Sequence, residues 1–158
     1  MQPKFAFTVN TPDTRTKALS WSGDMEKTFG KLSEFGYDGV ELFVRDPREL
    51  DVERIKQLLA GNGPLAAAVG TGPVVAEDKL FLTHDDAVVR KDAIARAETV
   101  VDFAAALGCQ MNVGKFRGNT GGDSRKKAWM DDAMREIASY AQRKNVFITI
   151  DTNLRSMI

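Results

Sequence analysis

The sequence predicts an α/β fold: half of an eight-stranded parallel barrel, built as (βα)4 plus a fifth parallel strand, with residues 1–158 forming one domain. Three observations predict it. Strand-like and helix-like stretches alternate along the whole chain in the order βαβαβαβαβ, the pattern of a parallel sheet with right-handed crossovers. Each strand has one apolar face, while Thr8, Asn10, Glu41, Asn112, Thr149 and Asp151 fall on the opposite face. A sheet covered by helices on both sides reads apolar on both faces, whereas a barrel has helices outside only and tolerates polar residues inside near its C-terminal rim. Finally, the last strand, Val146-Phe147-Ile148-Thr149-Ile150-Asp151, ends on a carboxylate, which is where parallel barrels place their chemistry.

The first strand spans 4–10, with Phe5, Phe7 and Val9 alternating against Ala6, Thr8 and Asn10. A polar segment with Pro12 follows over 11–23 and reads as a loop carrying Trp21. Asp24 caps a helix whose Met25, Phe29 and Leu32 share a face, and Gly36 stops it. The second strand covers 39–44, with Val40, Leu42 and Val44 on one face and Glu41 and Phe43 on the other. Asp51 caps a short helix with Val52, Ile55, Leu58 and Leu59 as its apolar stripe, ended by Gly61-Asn62-Gly63-Pro64. The third strand is 65–69. A long loop is expected from Gly70 to about Asp86, a length usually reserved for functional segments. The longest helix runs 86–107 with Ala93, Ala97, Val100, Ala104 and Leu107 as a small-residue face, and Gly108 ends it. Residues 109–113 form the fourth strand, and the glycine-rich, basic stretch 114–127 reads as a loop. A helix over 129–144 presents Met130, Ala133, Ile137 and Tyr140 on one side and leads into the fifth strand.

Composition narrows the function classes. Apolar residues make up 43% of the chain, enough for a folded core, and the net charge is zero, which argues against a nucleic-acid partner gripped by bulk charge. Cys109 is the single cysteine, so no internal disulfide forms, and a reducing, cytoplasmic setting is expected. No apolar run approaches membrane-spanning length and the first residues lack a signal-peptide stretch, so no membrane partner is expected.

Several segments together resemble one family. Gly36-Tyr37-Asp38-Gly39-Val40-Glu41-Leu42 is similar to the second-strand signature of the xylose isomerase-like TIM-barrel superfamily, in its sugar-phosphate isomerase/epimerase branch. Gly70-Thr71-Gly72-Pro73 with Leu80-Phe81-Leu82-Thr83 resembles that branch's loop after strand three. Arg90-Lys91-Asp92-Ala93-Ile94 and Ala104-Ala105-Ala106-Leu107-Gly108 resemble its third helix, and Asn112-Val113-Gly114-Lys115-Phe116-Arg117-Gly118 its fourth strand and loop. The resemblance implies the N-terminal half of a TIM barrel and metal-assisted isomerisation or epimerisation of a sugar or sugar phosphate, with Mn, Mg, Co or Zn as the divalent ion. It also implies that the carboxylate ending strand five is both a metal ligand and one of two acid/base groups. The chain departs from the pattern there: the branch ends this strand in Glu-Pro-x-Asn-Arg, and this sequence has Asp151-Thr152-Asn153-Leu154-Arg155. The family's other ligands come from strands six to eight, which these 158 residues do not contain.

The candidate site follows from these readings. Asp151 and Glu41 are the candidate catalytic carboxylates, and Asp151 is the one candidate metal ligand. Glu41 either contacts a sugar hydroxyl or is a hydrogen-bonded structural carboxylate. Asn10, Trp21, Lys115, Arg117, Asn153 and Arg155 are the candidate substrate contacts. Trp21 either stacks on a sugar or packs in the fold. Lys115 and Arg117, beside glycines 114, 118, 121 and 122, suit an anion, although the glycines match no phosphate-loop template. His84 reads as a surface or capping histidine. Since three or more protein ligands are usual for a catalytic zinc-type ion, a single chain is expected to bind no divalent ion tightly and to be inactive or weak as an enzyme. Two rivals accompany this reading. One is a non-catalytic half-barrel that pairs into a homodimer through its open strand edges or binds a small ligand. The other is an AP-endonuclease-like DNA-repair relative, disfavoured by the neutral charge and the missing histidines.

Overall fold

The structure is a computed structural model and describes residues 4–16 and 20–151. Five strands, β1 (Ala6–Asn10), β2 (Gly39–Phe43), β3 (Leu65–Gly70), β4 (Gln110–Val113) and β5 (Ile148–Ile150), form one parallel sheet in sequential order. A doubly wound sheet needs a reversal in strand order. Here each crossover steps to the next strand, and right-handed crossovers that all step the same way place their helices on the same side. The helices are α1 (Met25–Glu34), α2 (Val52–Asn62), α3 (Gly72–Asp78), α4 (Ala87–Leu107) and α5 (Ser124–Arg143). This is the expected partial barrel.

The core lies between the sheet's outer face and the helices. Val9, Val40, Leu42, Val44, Val69, Met111 and Val113 are buried there against Phe29 and Leu32 of α1, Ile55 and Leu58 of α2, and Ile137 and Ala141 of α5. Helix α4 contributes Ala93, Ala97, Val100 and Ala104, all fully buried. Small side chains let this helix approach β3 and β4 closely, as its sequence face implied. Fully burying a side chain such as Leu42 contributes about 1.5–3 kcal/mol, so this outer face holds the sheet to its helices.

Caps explain most of the boundaries. The carboxylates of Asp24, Asp51 and Asp86 accept from the amides of Lys27, Arg54 and Val88 at the starts of α1, α2 and α4. Gly108, at φ 67°, turns the chain out of α4, and its amide returns to the Ala104 and Ala105 carbonyls.

Two expectations are corrected. Residues 70–86 are not one loop, because Gly72–Asp78 forms α3. Pro73 lies in its first turn, where a missing amide costs nothing, and Lys79 ends it in the left-handed region. Helix α5 starts at Ser124, five residues before the expected start, because Asp123 caps it by accepting from the Arg125 and Lys126 amides. The basic stretch 124–127 is therefore its first turn, and the loop before it contains a short 3-10 turn at Lys115–Arg117.

The two sheet edges differ. At β1 the Trp21 amide donates to the Thr8 carbonyl at 3.0 Å, and the Asn10 amide donates to the Trp21 carbonyl at 2.9 Å. The upper half of this edge, expected to be open, is thus occupied by the chain's own loop. On its other side β5 has no strand partner among the described residues.

Candidate functional site at the C-terminal rim

The register places the polar residues of the inner face side by side. Thr8 pairs with Glu41, and Gly70 with Asn112, which in turn pairs with Thr149. Glu41 is the centre of this row. Its Oε1 accepts from the Asn112 side-chain amide at 3.0 Å, and its Oε2 from the Thr8 hydroxyl at 3.5 Å. The carboxylate thereby reaches across β3 from β2 to β4. It can do so because residue 70 is glycine. A Cβ there would stand 2.8 Å from Glu41 Oε1 and 2.6 Å from the Phe43 ring. The β2–β3 register also shifts between Val40 and Glu41, a bulge that sets Glu41 opposite Ala68.

Asp151 stands at the end of β5. Its amide donates to the Val113 carbonyl at 3.1 Å, and its own carbonyl accepts from Arg117 at 3.0 Å. Its side chain is exposed and lies near Gly114, so the carboxylate is open to a ligand. Lys115 is exposed, and Arg117 is part-buried, its Nε also reaching the Gly114 carbonyl at 3.4 Å.

Other candidates take different places. Asn10 is buried, and its side-chain amide donates to the Thr16 carbonyl at 2.9 Å and the Ser22 hydroxyl at 2.8 Å. That donor ties down the loop after β1. Trp21 pairs with Val9 in its bridge and so shares the outer face; its ring meets Phe7 edge-on at 6.4 Å. The structure does not bring it to the inner row, and the packed alternative describes it. Asn153 and Arg155 lie outside the described residues. His84 accepts from the Asp86 amide at 3.0 Å just before α4, a capping-region position away from the row.

Among the described residues, no three of His, Cys, Asp and Glu gather closely enough to hold a metal ion. Asp151 offers a free carboxylate, but Glu41 is already engaged by Thr8 and Asn112. This donor set does not fit a divalent ion.

Beneath the rim the structure holds an ionic network that the sequence did not signal. Asp13, buried, accepts from the Arg45 and Asp46 amides at 2.8 and 2.6 Å and from the Thr11 hydroxyl, joining the loops after β1 and β2. Arg96 of α4 pairs with Asp46 at 2.9 Å and Asp78 at 2.7 Å and donates to the Arg45 carbonyl at 2.6 Å. Arg45 pairs with Asp78 at 2.8 Å. The hydrogen bond from Arg48 holds Asp46 below the usual carboxylate range, outweighing burial, with Arg96 adding to it. For Asp78, burial pushes upward, but Arg96 and Arg45 together prevail and the net direction is down.

The xylose isomerase-like TIM barrel family model matches residues 29–153. The L-ribulose 3-epimerase of Methylomonas sp. (strain DH-1) is 30% identical over 147 residues, covering 85% of this chain and 49% of that enzyme. Among solved structures, D-allulose 3-epimerase from Methylomonas sp. in complex with D-allulose superposes with a TM-score of 0.67 at 25% identity, over 94% of this chain and 51% of that one. An AP endonuclease, family 2, from Brucella melitensis gives a TM-score of 0.69 at 19% identity, covering 99% and 58%, a likeness of fold alone. The chain spans about half the length of the relatives it matches.

Proposed function

This chain belongs to the xylose isomerase-like TIM barrel family, and on that premise we propose that it carries the substrate-facing first half of a sugar epimerase or isomerase acting on a ketose. The observation that carries the reading is the held carboxylate. Glu41 is fixed by two side chains from other strands, over a glycine that makes room for it, at the end of the sheet where Asp151 is open. Glu41 is half-buried and faces the barrel interior, and a carboxylate that served only to pack would cost desolvation there. Epimerisation beside a carbonyl removes a proton from one face of a carbon and returns one to the other. In this reading Asp151 handles the proton on one face of the carbon only, so that inversion needs a second acid/base group opposite it; Glu41 accepts a hydrogen bond from a sugar hydroxyl, and Asn112 holds Glu41 in the orientation that does so. The ligand names of the relatives, L-ribulose and D-allulose, give the first substrates to try. Alone, the chain is expected to bind a ketose weakly and turn it over slowly or not at all, because its donors do not complete a metal site. The setting that suits its single cysteine is the cytoplasm. Burial pushes the Cys109 thiol up to about 11, so it is inert as a nucleophile.

Calorimetric titration with L-ribulose and D-allulose tests this. Glu41→Gln and Asn112→Leu are each expected to weaken binding by about ten- to a hundredfold, in line with a lost charge-assisted hydrogen bond of about 1.5–3 kcal/mol. Unchanged affinity in both variants, with both still folded, would remove Glu41 from the site.

Association of two copies is a further part of the proposal. Phe147 is 78% exposed and Leu65 65% exposed. Leu65 stands opposite Gly39, and Phe147 is two residues before Thr149 on its strand, so both lie on the inner face below the polar row. The open edge of β5 and these apolar side chains favour a two-fold homodimer. Sedimentation equilibrium at micromolar concentration should give about twice the 17.4 kDa chain mass. A clean monomer would rule the dimer out.

A further inference from the structure

We propose that Phe43 is the apolar platform of the sugar site, its ring set against carbon-bound hydrogens of the ketose beside Glu41, an inference that rests on the sugar reading and deepens it. A site for a sugar needs two kinds of surface. Polar groups take the hydroxyls, and an apolar wall takes the stretches where only hydrogens project. Trp21 was the sequence's candidate for that wall, but the structure packs it on the outer face.

Three observations put Phe43 in that role. The first is its place. It is the last residue of β2 and alternates with Glu41, so it shares the inner face at the C-terminal rim, where it pairs with Asn10 and Gly70. The second is the seat of its ring. A Cβ at Gly70 would stand 2.6 Å from both Cδ1 and Cε1, and one at Gly72 would stand 3.6 Å from Cε2 and 3.9 Å from Cδ2. The ring therefore leans from β2 over Gly70, with its other edge toward Gly72, and any side chain at position 70 would push it away. The same point above Gly70 lies 2.8 Å from Glu41 Oε1. One missing Cβ thus brings a ring edge and a carboxylate oxygen together. The third is that the ring is not spent on packing. Phe43 is half-buried, stands outside the hydrophobic core and makes no ring-to-ring contact among the described residues.

The two neighbours select opposite parts of a ligand. Glu41 accepts a hydrogen bond from a hydroxyl. Phe43 disfavours one, because a hydroxyl pressed on a ring without a hydrogen-bond partner loses its water for nothing. A ketose therefore enters with a hydroxyl toward Glu41 and carbon-bound hydrogens toward Phe43. The ring moves no proton; it fixes which side of the carbon chain meets the polar row.

The test is NMR and calorimetry of the 158-residue chain with L-ribulose and D-allulose. On binding, the sugar's C–H protons should shift upfield and show NOEs to the Phe43 ring, which a purely structural phenylalanine would not give. Phe43→Leu keeps apolar bulk and removes the ring. It should abolish the upfield shifts and weaken binding about two- to tenfold, the size of an aromatic face contact. The NOEs are read in the parent, so the proposal stays open to refutation even if Phe43→Leu does not fold. Sugar bound without NOEs to Phe43 overturns the platform, as does Phe43→Leu binding like the parent. If the sugar binds and Glu41→Gln weakens it while Phe43→Leu does not, the sugar reading stands and the platform falls. If the NOEs and the Phe43→Leu loss appear while Glu41→Gln changes nothing, the platform stands and the carboxylate's part falls. Neither sugar binding at all would remove both.

Discussion

Replacing Arg96 with alanine is expected to lower the unfolding free energy by about 3–5 kcal/mol, the usual cost of removing one partner from a buried charge pair. The Arg96 side chain is 9% exposed and holds Asp46 and Asp78 together with the Arg45 carbonyl. Its loss leaves Asp78 with Arg45 alone and Asp46 with Arg48 alone. The network also sets the pH response. Asp46 and Asp78 are held below the unfolded value of 3.8. A carboxylate depressed in the folded state contributes stability that is fully present above its unfolded pKa. That stability is lost as pH falls through the folded pKa. The parent should therefore lose stability below pH 3.8, and Arg96→Ala should lose less over the same interval. Urea unfolding at pH 7 and at pH 3 measures both effects. A variant within 1 kcal/mol of the parent at pH 7 would show that the network contributes little.

Gly118→Ala is the second large effect. Gly118 has φ 77° and ψ −170°, a region open almost only to glycine. A Cβ there would also overlap Thr83 Oγ1 and press within 3.1 Å of the Phe81 ring. Thr83 is buried and cannot swing aside. Backbone strain of about 1–3 kcal/mol and overpacking of a similar size combine to a loss of roughly 2–6 kcal/mol. Gly122→Ala is the matched control. Gly122 also has positive φ, at 81°, but nothing lies within 4 Å of a Cβ there. If the two variants unfold at the same urea concentration, the close approach to Thr83 is unimportant.

Much of the fold was legible in the sequence because local signals and tertiary structure agree. Asp24 and Asp51 read as caps and act as caps, while Asp86, read as the first residue of its helix, is the cap of α4. The inner-face assignment of Glu41 and Asn112 followed from alternation alone. That the two side chains touch did not follow, since they are 71 residues apart and depend on the register of three strands and on Gly70 lying between them. Gly70 itself read only as the start of a long loop. Helix α3 was missed because Gly72-Pro73 signals both a turn and a helix start, and only the neighbouring elements decide between them. The start of α5 was missed because the glycines at 121 and 122 obscured Asp123 as a cap. For Trp21 the sequence left stacking on a sugar and packing in the fold both open, because its bridge to β1 is a tertiary contact that no local pattern announces. The Arg96 network joins two loops and two helices, and each of its charged residues alone reads as an ordinary surface charge.

The most direct measurement is a map of amide NMR shifts in the 158-residue chain on titration with L-ribulose. Two regions compete. One is the inner row at the C-terminal rim. The other is a cleft of about 450 Å³ at the opposite end of the sheet, lined by Ala66, Cys109, Gln110, Lys144 and Phe147. The expected result is saturable shifts at Thr8, Glu41, Gly70, Asn112 and Thr149 that Glu41→Gln abolishes. Shifts confined to the residues of the opposite cleft, or none at saturating sugar, would contradict a sugar-facing inner row.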